Sequence, residues 1–330
     1  MSNALRVLLV SAAFAVLAFA DAWSATDTSA PAHDNSSATE KLQEVTVTAQ
    51  RAKLAPRVRK FVNRIVAPEN NGDDGIARWQ APPVCPLVSG LPRQDGEFIL
   101  ARLSEIARQT GVPLAGEHCR PNLYILATPQ PEDLLRGMEK RNRSFTFGDD
   151  ASYYPPVPTP VSLVDEFIKT TRVVRVWYNS DEKDRWGQPL AYCPVAEVLG
   201  SCEHASPSLC EPGRYVRCSR GTAGGSHITL SAMTTFSRVF VIVDRGRLHG
   251  VKVGQLAAYV AMVGFAKLKP DAHVADAPTI LKLFDAGPNA APAGLTDWDQ
   301  AFLKSLYSTE QLAKGQSGQI ARAMVREIVP

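Results

Sequence analysis

No Cys-x-x-Cys pair occurs anywhere in this chain, although it carries six cysteines. That absence speaks against a thioredoxin-type redox motif and against the close-set thiolates of a zinc ribbon. An excess of one charge is missing too: 36 Lys and Arg face 33 Asp and Glu, for a net charge of +3. Such a balance argues against nucleic acid or a strongly acidic partner as a general substrate. There is no Gly-x-Ser-x-Gly elbow and no Gly-rich phosphate loop before a helix, and Lys304 and Ser305 are mere neighbours rather than a Ser-x-x-Lys motif. Beyond residue 20 no apolar stretch is long enough for a helical membrane span.

What is present starts at the N-terminus. Arg6 precedes an apolar run from Val7 to Phe19 that closes in the small-x-small sequence Ala18-Phe19-Ala20. This arrangement is that of a secretory signal peptide over residues 1–20, too short to span a bilayer. The chain is therefore expected in the periplasm or outside the cell, cut after Ala20 or Ala22, with no integral span left. In that oxidising setting six cysteines read as three disulfides.

Residues 21–43 have almost nothing to bury and are predicted to be disordered. Glu44 to Arg51 alternates with β-branched residues and predicts a short strand. Its string resembles the segment at the start of TonB-dependent receptors, so it reads either as a tether or as a docking peptide taken up by strand addition. From Ala55 the period changes: Val58, Phe61, Val62, Ile65 and Val66 make one helix face, opposite Arg57, Arg59, Lys60 and Arg64. We read this as the first helix of a domain rather than a membrane-lying helix.

A strand around Trp79, a helix from Asp95 to about Thr110 and a strand at Asn122–Leu126 follow. Phe98, Ile99, Leu103 and Ile106 are the helix's predicted buried stripe. Cys85 and Cys119 flank the helix, and joining them would staple it across the two strands. Thr128–Glu132 opens another helix that runs roughly to Arg141, and Tyr153–Pro160 reads as a polyproline II connector. Arg172–Asn179, Ile228–Met233 and Arg238–Asp244 read as further strands. Between them, residues 181–226 hold Cys193, Cys202, Cys210 and Cys218 in a Gly- and Ser-rich excursion. Two disulfides would pin it. The nested pairing Cys193–Cys218 with Cys202–Cys210 suits a hairpin, and sequential pairing stays open. His204 reads as a loop histidine.

Beyond the last strand, the sequence predicts a helix over about Val253–Lys267, then helical turns at Ala277–Leu281. A capping box at Thr296–Asp299 and a last helix from Ser317 complete it. Arg78-Trp79, the helix ending Ala107–Gly111, Pro121–Ile125 and Leu295–Tyr307 together resemble an uncharacterised exported bacterial family with a zincin-like, metallopeptidase-like layout. The resemblance implies a His-Glu-x-x-His-x-x-Gly helix after a strand, which would bind zinc and activate water. With Gly264 as the motif's glycine, Ala257 and Ala261 stand for the histidines and Ala258 for the glutamate. Lys267 stands at a further ligand position. Alanine neither ligates metal nor moves a proton, so the catalytic motif is degenerate. An alanine-rich helix packed against a sheet explains the same residues without the motif. His227, His249 and His273, with Asp244, Asp271 and Asp276, are the other metal-capable residues nearby, and their spacing suggests surface or capping roles.

The expectation is thus an α+β fold: a mixed twisted sheet with flanking helices, zincin-like, with a disulfide-pinned insertion. Residues 1–20 are the signal peptide, 21–54 a disordered tether and 55–330 one domain with its insertion at about 181–226. Functionally the chain reads as a non-catalytic exported envelope protein binding a peptide, glycan or protein. No catalytic residue, cofactor or metal is assigned to it. The alternatives are a metal-dependent hydrolase with unrecognised ligands, and an accessory protein docking to an envelope transport system through residues 44–51.

Overall fold

The computed structural model describes residues 35–67, 75–150, 157–194, 215–218, 230, 232–270, 272, 274 and 276–330. The signal peptide, Cys202, Cys210, His204, His227, His273, Asp271 and residues 153–156 of the proline-rich connector lie outside them. The chain divides into two units, residues 1–44 and 45–330.

Helix α1 (Asn35–Ile65) contains the whole of Glu44–Arg51. The predicted strand there is therefore corrected to helix, and the backbone of 35–43, predicted to be disordered, is helical as well. Strong helix formers on both sides of Val45–Thr48 carry the helix through the β-branched run, and an isolated strand has no sheet to join. Docking by strand addition through 44–51 has no extended segment to use. Further along, the stripe read from the sequence is right: Val58, Phe61, Val62, Ile65 and Val66 are all buried, while Arg57, Arg59, Lys60 and Arg64 are exposed. The apolar face is consumed by the domain core and is not free to lie on a membrane.

Four strands make the central sheet. β1 (Pro86–Ser89), β2 (Leu123–Thr128) and β8 (Met233–Asp244) run parallel, and β5 (Val174–Lys183) closes one edge antiparallel to β8. The strand expected at Ile76–Trp79 is a buried extended segment with a single β-bridge from Arg78 to Thr235. The strand expected at Arg238–Asp244 is longer, β8 beginning at Met233, while Ile228, Thr229 and Ser231 of the other expected strand lie outside the described residues. Between β2 and β5 lie α3 (Pro131–Phe147), a two-residue pair β3 (Asp149–Asp150) and β4 (Val157–Pro158), and α4 (Val161–Lys169). The excursion carries an antiparallel pair, β6 (Ala191–Pro194) and β7 (Tyr215–Cys218), so its backbone is a hairpin. The pairing of its four cysteines lies outside the described side chains.

Helix α2 (Arg93–Thr110) links β1 to β2 and stops where Gly111 adopts a left-handed conformation at φ 79°. Ile99, Leu103, Ile106 and Thr110 form its buried stripe, whereas Phe98 is 45 % exposed and falls outside it. Cys85 and Cys119 are joined, with Cα atoms 6.0 Å apart, so the covalent bond spans the two ends of the β1–α2–β2 unit. After β8 come α5 (Val253–Phe265), the short α6 (Leu283–Ala286), α7 (Asp297–Ser308) and α8 (Gln316–Ile328). Thr296 caps α7 in the predicted capping box with Asp299.

The sheet is covered on both faces, as parallel strands require. Along β8, Val239, Val241 and Val243 join the larger core with α1, α2, α5, α7 and α8, while Phe240 and Ile242 join a smaller core with α3 and α4. β2 alternates in the same way, with Leu123 and Ile125 on the first face and Tyr124 and Leu126 on the second. The fold is α+β with a mixed four-stranded sheet flanked by helices. Among the described residues no helix is long and apolar enough to cross a membrane.

Candidate functional site

The alanines that the zincin resemblance singles out do not border any opening. Ala257, Ala258 and Ala261 are 0 % exposed. A Cβ on Gly264 would stand 3.3 Å from the methyl carbons of Leu123 in β2. Ala257, Ala261 and Gly264 share one face of α5 at i, i+4 and i+7, so small residues there let the helix approach the sheet closely. The alanine face of α5 therefore meets close packing rather than an opening.

The other candidates are scattered. His249 is exposed in the turn before α5, and Asp244 accepts a bond from the Gly246 N–H at 3.1 Å. Asp276 is exposed, 3.3 Å from Lys60 and 3.6 Å from Arg64, and the Lys60 ammonium holds its carboxyl below the usual range. Ser305 is buried while Lys304 pairs with Glu327 at 2.5 Å. Among the described residues no three His, Cys, Asp or Glu side chains gather into a group that could hold a metal.

A cleft opens elsewhere, along the outer edge of β5, with a volume of about 630 Å³. Six consecutive residues, Val173 to Tyr178, line it. β5 is the terminal strand of the sheet. The Asp244 N–H donates to the Val173 carbonyl at 2.8 Å, which sets the phase of the β5–β8 ladder. Hydrogen-bonded positions alternate in an antiparallel pair, so Arg175 and Trp177 bond to β8 through their backbones. The backbone groups of Val174, Val176 and Tyr178 point the other way, into the cleft.

Both walls are apolar. On one side α4 contributes Leu163 and Phe167, and Leu163 is 51 % exposed. On the other, Tyr259 and Val263 of α5 line the cleft with Leu281 and Phe284. The α5 residues that face an opening are thus Tyr259 and Val263, offset by two residues from Ala257 and Ala261, and Lys267 lines the cleft from just beyond the helix. Tyr259 packs edge-on against Phe284, with ring centroids 4.8 Å apart. Burial pushes the Tyr259 hydroxyl up to about 12; Asp285 adds to the rise and Arg172 opposes it. Tyr178 donates to the Val263 carbonyl at 2.8 Å, tying the strand to the helix at one end of the cleft.

The charge along the cleft is basic: Arg172, Arg175, Arg247, Lys267 and Lys269 line it against Glu166 and Asp285. Arg175 is 6 % exposed and its Nη1 donates to the Ile168 carbonyl at 2.6 Å. Its Nε is buried with no partner. Burial lowers its pKa, and the nearest carboxylates, Glu132 and Asp244, partly offset this from beyond ion-pair distance. Arg247 donates to the Thr171 carbonyl at the same end of β5. Sequence reading identified this strand but not its place at the edge, because strand order leaves no trace in a single strand's pattern. Arg172 and Arg175, flanking and interrupting the apolar run at the start of the strand, were the available signal.

Chemically, an apolar trough whose floor is a strand edge unpaired among the described residues is suited to an extended chain. No family model, curated protein or solved structure matches this chain.

Proposed function

We propose that this protein is a non-catalytic binding module of the cell envelope that takes an extended peptide against the outer edge of β5. The observation that carries the reading is the run Val173–Tyr178 lining one cleft between two apolar walls. Strand addition supplies main-chain hydrogen bonds for affinity, and side pockets select alternate side chains. Val174, Val176 and Tyr178 offer outward donors and acceptors, and the five strand residues Val174–Tyr178 span about 17 Å, enough for a peptide of similar length. Leu163 and Phe167 on one wall, with Tyr259 and Phe284 on the other, would hold the peptide's apolar side chains.

Export is part of the same proposal. It rests on the N-terminal apolar run and agrees with the Cys85–Cys119 disulfide, a bond kept in oxidising compartments. The zincin-like layout remains a proposal of descent, supported by a strand (β8) leading into a helix (α5) of matching spacing.

Hydrogen exchange tests the binding reading. In the free protein the amides of Val174 and Val176 should exchange faster than those of Arg175 and Trp177. Saturating extended peptide should protect the first pair. Val176→Pro removes an outward N–H without breaking the ladder to β8, and prolines are tolerated at such edge positions. This variant should stay folded and lose peptide binding. Binding that survives it would sink the strand-addition reading.

A further inference from the structure

Three arginines gather where β5 begins. Arg172 precedes the strand, Arg175 is its second residue, and Arg247 reaches the Thr171 carbonyl from the turn after β8. Arg175 is the informative one. It is buried, yet among the described residues it makes a single hydrogen bond, to the Ile168 carbonyl, and its Nε has no partner there. No carboxylate of a described residue reaches ion-pair distance of it. A buried guanidinium is costly to keep without an anion, and planar forks of this kind match carboxylates. The arrangement calls for an anion that comes from outside the chain.

The direction of strand addition says which anion. Antiparallel pairing is the more stable mode, and β5 already pairs antiparallel with β8. A peptide laid antiparallel on the outer edge of β5 runs toward the strand's first residues. Its C-terminus therefore arrives beside Arg172, Arg175 and Arg247. Resting on the strand-addition reading, we propose that the cleft recognises the free C-terminus of an extended peptide, with Arg175, Arg172 and Arg247 holding the terminal carboxylate. An acidic side chain could reach the same arginines only from a chain that continues past the end of the strand.

Acetylated hexapeptides of alternating Val and Thr separate these possibilities. They are made with a free C-terminal carboxylate, as the C-terminal amide, and as an amide ending in Asp. Binding to the full chain is followed through the fluorescence of Trp177, which lines the cleft. The free acid should bind on the order of tenfold tighter than either amide, the scale of a hydrogen bond to a charged group. Arg172→Gln with Arg247→Gln alters exposed residues and should shrink that preference to about twofold or less, with fold intact. Arg175→Met should shrink it as well wherever the variant folds. Equal affinity for acid and amide would overturn this inference and leave strand addition standing. An Asp-ended amide that matches the free acid would overturn the terminal source. If none of the three binds, the strand-addition reading itself fails and takes the inference with it.

Discussion

Arg78 and Gln316 meet in the core across 238 residues, Nη2 of the arginine lying 2.6 Å from Oε1 of the glutamine. Arg78 also donates to the carbonyls of Leu306 and Thr309 at the C-terminal end of α7. These carbonyls carry the negative end of the helix dipole and stand in for a carboxylate. Burial still lowers the Arg78 pKa to about 10. Gln316 in turn accepts from the Ile76 N–H at 3.3 Å and donates to the Gln311 carbonyl at 2.6 Å. One glutamine thus ties the extended segment at 76–79 to the start of α8.

Gln316→Leu should destabilise the fold by about 3 kcal/mol, since it strips an acceptor from a buried charge and from a buried backbone donor. Arg78→Lys should also destabilise, because a point-like ammonium cannot reach all three acceptors that the guanidinium fork spans. Urea unfolding midpoints check both, and an unchanged midpoint for Gln316→Leu would remove the tie from the account.

Asp299 gives a pH prediction. It is fully buried, accepts from Ile280 N at 2.9 Å and from Thr296 N at 3.0 Å, and lies 2.5 Å from the Thr279 hydroxyl. Burial raises its pKa above the ordinary 3.8 despite these donors. The folded state therefore holds the proton more tightly than the unfolded state. Its contribution to stability is largest below 3.8 and falls as pH rises through the folded value. Wild type minus Asp299→Asn, measured by chemical unfolding across the acid range, should show a stability gap that shifts against wild type as pH rises. A gap that shifts the other way would contradict the raised pKa.

Helix starts, amphipathic stripes and the Cys85–Cys119 bond were legible in the sequence because each rests on local pattern. Thr296 and Asp299 announce the start of α7, and Val58 to Val66 announce a core-facing helix. Two other kinds of feature were not legible. Val45–Thr48 has strand-forming residues, yet it is helical because the decision is made by neighbours on both sides. Ala257, Ala261 and Gly264 have the right spacing for one helix face, but spacing says which residues share a face and not what the face meets. The same limit hid the cleft: Arg172–Asn179 reads as a strand anywhere in a sheet, and only the order β1-β2-β8-β5 makes it an edge.

The Cys85–Cys119 bond closes the β1–α2–β2 unit with a sequence separation of 34 residues. Replacing both cysteines by serine should lower stability by about 2–5 kcal/mol. A thermal unfolding comparison at matched pH checks it. The loss should fall mainly on global unfolding, because the bond ties the edge strand β1 to β2, whose Leu123 and Ile125 sit in the larger core.

Turning α5 into a metal-binding helix separates packing from ancestry. Ala257→His, Ala258→Glu and Ala261→His place three polar side chains where nothing is exposed and where Gly264 already brings the helix against Leu123. Each buried polar group without a partner costs about 1–3 kcal/mol, and overpacking adds a comparable amount. The sum approaches the whole stability of an ordinary domain, about 5–15 kcal/mol. The triple variant should therefore fail to fold, as solubility and far-ultraviolet circular dichroism would report. Tyr259→His, on the stripe that faces the cleft, should by contrast remain folded. A soluble triple variant that takes up one zinc would mean that the alanine face can open, and would return the metallopeptidase-like reading to the alanine register.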